Sequence, residues 1–146
     1  MSQKALRNAQ RVLRYEQQQF KLMLPDIARK RADISNIERR ICILRQQVAN
    51  ILNDDASDYG NELQRREIII DYSAQVDVQV SKLQLEKERL TAELVAAEQN
   101  LIGQRARVKS IETLVKRAQT ALVKEQEFHA NIELSDLLVG GMEETS

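Results

Sequence analysis

The sequence predicts an all-α protein: a two-helix antiparallel coiled-coil hairpin with a longer, overhanging second helix. Three observations lead there. An apolar seven-residue repeat runs through residues 76–122, a second one runs through residues 6–51, and between them lies a short cluster of turn-forming residues. Sustained heptads of this length are the signature of helices that must cover a narrow apolar stripe with another helix.

The longer repeat has two lines. Val80, Leu94, Leu101, Val108, Val115 and Leu122 form one, broken by Lys87, and Val76, Leu83, Leu90, Ala97, Ile111 and Ala118 form the other, broken by Gln104. The residues between them are mostly Glu, Lys, Arg, Gln and Ser. The run Ile68 to Ile70 and the alternation Val76, Val78, Val80 also fit a strand. Both are short, and the heptad continues through them, so a helix is the better reading.

The first repeat starts after Ser2, a candidate N-cap. Its leading line is Leu6, Leu13, Phe20, Ile27, Ile34, Ile41 and Val48, and its companion line includes two charged members, Glu16 and Lys30. Pro25 falls inside this helix, where it removes a backbone donor and costs roughly 3 kcal/mol relative to Ala. It lies off the seam and leaves the heptad phase unchanged, which favours a kink over a break. The boundaries that follow are helix 1 over about 3–53, a turn over about 54–61, helix 2 over about 62–138 and a disordered tail over 140–146. Asn61 and Glu62 resemble the start of a capping box, and Gly140 with Gly141 is a stop signal.

In an antiparallel pair, the numbers of facing residues add to a constant. A total of 117 pairs Ile41 with Val76, Ile34 with Leu83, Ile27 with Leu90 and Phe20 with Ala97, and it centres the turn between Asp58 and Tyr59. The same total stacks Lys30 on Lys87 and gathers Asp26, Asp33, Glu86 and Glu93 on one flank. It also sets Leu13 against Gln104 and Glu16 against Leu101, a soft zone beside Gly103. Totals of 110 and 124, one heptad either way, remain open. With 117, nothing in helix 1 faces Arg117 or anything beyond it, so the apolar residues from Ala118 to Leu138 overhang and form a binding element.

Composition narrows the function. Lys+Arg and Asp+Glu both number 22, aromatics make up 3%, and there is one Pro and one Cys. So few aromatics cannot build a thick core, and a formal charge of zero gives no overall pull toward nucleic acid or anionic lipid. No apolar run is long enough to span a bilayer, and the start lacks a secretory signal, so a cytoplasmic protein without membrane insertion is expected. His129 is the single His and is not clustered with Cys42, and there is no glycine-rich phosphate loop. No catalytic, cofactor or metal site can be assembled, and a non-enzymatic protein is expected.

The plan resembles the FliJ/YscO family, small coiled-coil stalk proteins of flagellar and virulence type III secretion systems. The similarity covers the near-fifty-residue first helix, the short polar turn and the longer second helix. It extends to the turn exit through Gly60 into Glu62-Leu63-Gln64-Arg65-Arg66 with Ile68 to Tyr72, and to Ile132-Glu133-Leu134-Ser135-Asp136-Leu137-Leu138 near the end. Pro25, the absence of tryptophan and the balanced charge depart from the family's usual pattern. The resemblance implies a cytoplasmic stalk, monomeric when free and without a cofactor. Ala118, Leu122, Phe128, Ile132 and Leu138 would meet a hexameric export ATPase, Ile68 and Tyr72 would meet an export-gate membrane protein, and secretion chaperones are further partners. A structural tether or scaffold subunit, or a secretion chaperone holding a client helix, would use the same uncovered stripe.

Overall fold

The structure, a computed structural model, describes the backbone of residues 2–53 and 62–145 and the side chains of residues 3–53 and 62–141. Two α-helices account for it: α1, Ser2–Leu52, and α2, Glu62–Thr145. They pack as an antiparallel hairpin with the longer helix second. The expected turn and the Asn61 cap lie outside the described residues. Contacts divide the chain into two compact units, Met23–Asn100 and Met1–Leu22 with Leu101–Ser146.

In the unit Met23–Asn100, Ile37, Ile41, Val76, Val80 and Leu90 are buried together, with Ile34, Leu44, Val48, Tyr72 and Leu83 packed against them. All ten are apolar or aromatic, and all but Tyr72 belong to the heptad seams. Pro25 is exposed and α1 is continuous through it. The lost bond to the Lys21 carbonyl therefore falls on the solvent side, where water can replace it.

The pairing differs from the expected total of 117. Glu38 Oε1 bonds Lys87 Nζ at 3.2 Å, Arg31 Nη2 bonds Glu98 Oε1 at 3.0 Å, and the Tyr72 hydroxyl donates to Gln47 Oε1 at 3.3 Å. These pairs scatter about 124, one heptad along. The cluster agrees: a total of 124 sets Val48 against Val76, Leu44 against Val80, Ile41 against Leu83 and Ile34 against Leu90, and Leu90 shares its cluster with Ile34. Of the pairs named above, only Ile27 with Leu90 would separate this cluster from the 117 alignment. Ile27 is buried but is not a member of it.

Charge explains the shift. At 117, Lys30 would stack on Lys87 inside the seam. At 124, Lys87 faces Ile37 and reaches its neighbour Glu38, while Lys30 faces Leu94 and folds back onto Asp26, with Nζ 2.6 Å from Oδ2. The Lys30 hydrogen bond, helped by Arg29 at 2.6 Å, holds the Asp26 carboxyl below its ordinary value. Each seam lysine thus has its own carboxylate in place of a like-charged neighbour.

The C-terminal end also differs from expectation. α2 does not stop near Leu138 but continues through Gly140 and Gly141 to Thr145. Neither glycine takes up the left-handed backbone that a glycine C-cap uses, and neither meets a neighbouring atom that would exclude a side chain. A helical glycine costs roughly 0.5–1 kcal/mol relative to Ala, a penalty that weakens a helix without obliging it to end.

Candidate docking surface on the second helix

The unit formed by Met1–Leu22 and Leu101–Ser146 holds the predicted ATPase-facing residues. Its pairing also follows 124. Glu16 then faces Val108, and Arg107, next to Val108, brings Nε to 3.2 Å from Glu16 Oε1. Phe20 lines a shallow groove with Arg105, Val108, Lys109 and Glu112. Glu16 is only 6% exposed, the one buried charged side chain among the described residues. Gln104 Nε2 donates both to its backbone oxygen, at 3.0 Å, and to Oε2, at 2.5 Å. The zone expected to be soft is therefore a satisfied polar layer.

Removing one member of such a layer leaves the other with fewer partners. Glu16→Ala removes the carboxylate that Gln104 and Arg107 share, leaves Gln104 only the residue 16 backbone carbonyl, and should lower stability by about 1–3 kcal/mol. Replacing Glu16 and Gln104 together by leucine should be neutral or stabilising by up to about 4 kcal/mol, because the seam becomes continuous and Arg107 is already exposed to water. Urea unfolding followed by circular dichroism separates the two variants. Equal losses in both would refute the layer.

Along α2, coverage ends where the 124 alignment says it must. Position 122 faces the start of α1, and the burial follows. Val115 is buried, Ala118 and Leu122 are half-buried, and residues 123–139 are all exposed. Of the five residues expected at the ATPase, Ala118 and Leu122 thus belong to the end of the paired seam. Phe128, Ile132 and Leu138 stand in the open, Phe128 at 63% exposure, accompanied by Val123, Leu134, Leu137 and Val139. The overhang begins at Val123, five residues later than the expected start at Ala118, because of the one-heptad shift.

At 100° per residue, the apolar side chains of this segment spread over an arc of about 220°, far wider than a single helix–helix seam. The remaining arc is a polar strip of Glu125, His129, Glu133 and Asp136, spaced by four, four and three residues. His129 Nε2 lies 4.0 Å from Glu125 Oε1, and the Phe128 and His129 rings meet edge to face at 6.1 Å.

Charge is not spread evenly along α2, which the zero net charge concealed. Residues 101–124 contain six Lys or Arg and one acidic residue, whereas residues 125–146 contain six acidic residues and no Lys or Arg. The boundary falls between Lys124 and Glu125.

The residues expected at the export gate lie in the other unit and differ from each other. Ile68 is exposed at 48%. Tyr72 is half-buried, packs on the core and is held through its hydroxyl by Gln47. At a total of 124, Tyr72 faces Leu52, the last residue of α1, and Arg65 reaches back to the Leu52 carbonyl at 3.3 Å. Leu63 and Ile70 are exposed there beside Ile68.

Among the described residues, no three His, Cys, Asp or Glu side chains gather as metal ligands, and Cys42 is an exposed free thiol. No described helix is long and apolar enough to cross a membrane. The grooves are shallow troughs along helix faces; one of about 430 Å³ is lined by Glu38, Ile41, Cys42, Arg45, Gln46, Gln84 and Lys87. The fold and surface define a helical hairpin whose second helix exposes residues 123–139. Compared with known proteins, the chain matches no family model, no curated protein and no solved structure.

Proposed function

We propose that this protein is a non-enzymatic, cytoplasmic stalk component of a type III secretion export apparatus. It binds a hexameric export ATPase through the terminal segment of α2 and links that enzyme to the export gate. The observation that supports this most directly is the run of exposed residues over 123–139, with Phe128, Ile132, Leu134, Leu137 and Leu138 uncovered. Its apolar arc is too wide for one facing helix, so it suits a site that closes around it, such as the central opening of a ring. Ile68, with Leu63 and Ile70, offers the second contact at the opposite end of α2. Tyr72 positions that end by packing, and secretion chaperones are further candidate partners for the exposed faces.

The test is direct. Titrating the purified chain into its cognate export ATPase should yield a complex and raise ATP turnover. Absence of both refutes the stalk. Co-purification of a small secreted subunit on residues 123–141, without any ATPase response, would favour the chaperone reading.

A further inference from the structure

Past Leu122, the heptad that packs α2 on α1 changes character. The line of Val115 and Leu122 continues as His129 and Asp136, and the line of Ile111 and Ala118 continues as Glu125, Ile132 and Val139. Three of these five seam positions are charged or polar, so a helix like α1, apolar along its own seam, would desolvate carboxylates there without compensation. Glu133 flanks the same side, and all of these residues are exposed. No Lys or Arg occurs in residues 125–146, and among the described residues Glu127, Glu133 and Asp136 make no ion pair. The segment is thus an uncovered apolar helix with one anionic edge, and that edge selects what covers it.

We infer that the occupant of residues 123–139 is a protein cavity with apolar walls that sets Lys or Arg side chains along the strip of Glu125, Glu133 and Asp136. This rests on the reading of that segment as a docking element, and it adds the charge that the partner carries. The wide apolar arc asks for a wall on more than one side, which a cavity supplies and a flat surface does not. An anionic membrane does not fit, because helices that lie in such an interface carry Lys and Arg on the polar face, where this one carries carboxylates. The same carboxylates repel the phosphates of nucleic acid. From Glu125 to Asp136 the strip rises roughly 16 Å at 1.5 Å per residue, further than one Lys or Arg can serve, so the wall offers at least two. The basic stretch limits the grip at the other end. Lys116, Arg117 and Lys124 are exposed and repel the same cations, so the basic part of the cavity stops short of Lys124.

The experiment measures binding of the full chain to three probes: an amphipathic peptide of leucine and lysine, its leucine and glutamate counterpart, and phosphatidylglycerol vesicles. A peptide covers only part of the arc, but it reads the charge that the arc prefers. The native chain should bind the lysine peptide at least ~10-fold more tightly than the glutamate peptide, and the gap should narrow at about 1 M salt as screening shortens the reach of each charge. E133K with D136K should lose that preference. E86K with E88K, the same reversal at exposed positions of α2 beside α1, should keep it. Both double variants change the net charge equally, so the comparison separates the strip from the charge of the whole chain. No preference between the peptides, equal losses in the two double variants, or tighter binding to the vesicles than to the lysine peptide overturns the inference. The stalk reading fails separately, if the native chain does not engage its export ATPase, whatever the peptides do. An ATPase that binds E133K with D136K as tightly as the native chain overturns only the basic cavity.

Discussion

Replacing Ile41 by alanine is expected to destabilise the hairpin by about 2–5 kcal/mol, the usual range for truncating a buried isoleucine. Ile41 is 8% exposed and shares its cluster with Ile37, Val76, Val80 and Leu90. A pair of packed helices has no further layer that could relax into the space, so the lost contacts are not recovered elsewhere. Because whole-protein stabilities are typically about 5–15 kcal/mol, a loss of this size removes a large share of the total. Ile43, two residues on and 51% exposed, is the control: its alanine variant should change stability by no more than about 0.5 kcal/mol. Urea midpoints read by circular dichroism decide the matter. Equal shifts for the two variants would mean that the heptad seam does not hold α1 to α2.

The terminal segment should behave in the opposite way. Phe128→Ala with Ile132→Ala is expected to leave the unfolding midpoint of the monomeric chain within about 0.5 kcal/mol, since both side chains already face water and alanine favours helix. On the proposed function, binding to the export ATPase should fall by at least 100-fold, because burying two such side chains is worth about 1.5–3 kcal/mol each. The measurement is a binding isotherm beside a thermal melt of the same preparation. If the double variant binds as the native chain does, Phe128 and Ile132 are not the docking contacts. If it melts early, the segment packs on its own hairpin and is not an overhang.

The contrast between these outcomes follows what was legible in the residues. The helices, their antiparallel pairing and the identity of the seam were readable because a seven-residue apolar repeat has one structural solution at this length. The alignment between them was not fixed, because every heptad shift of such a repeat preserves the apolar layers. Only the sparse charged members, Lys30 and Lys87, distinguish the totals, and their like-charged stacking at 117 was the signal in favour of 124. Glu16 looked like a flaw because its partners, Gln104 and Arg107, lie about ninety residues away in sequence and are brought to it by the fold.

Two other differences have local causes. Paired glycines marked the end of α2, yet a helix stops at glycine only when the backbone turns left-handed there, and at Gly140 and Gly141 it does not. The residues mark the terminal segment but place Ala118 and Leu122 in it, because every heptad shift preserves the apolar layers. The charge boundary at Lys124 and Glu125 was present in the residues all along. A summed charge of zero hid it, and only placing the two stretches on one helix made their opposition meaningful.

The antiparallel arrangement also sets an order in which the chain can assemble. The link from Arg65 to the Leu52 carbonyl joins residues 13 apart, that from Tyr72 to Gln47 joins residues 25 apart, and that from Gln104 to Glu16 joins residues 88 apart. Closing a longer loop costs more chain entropy, so each contact made near the turn shortens the loop left for the next, and folding proceeds like a zip from the bend toward the termini. Residues 123–139 lie past the last tooth of that zip. They are the part of the molecule that gains least from its own folding, and so the part freest to be ordered by whatever it meets.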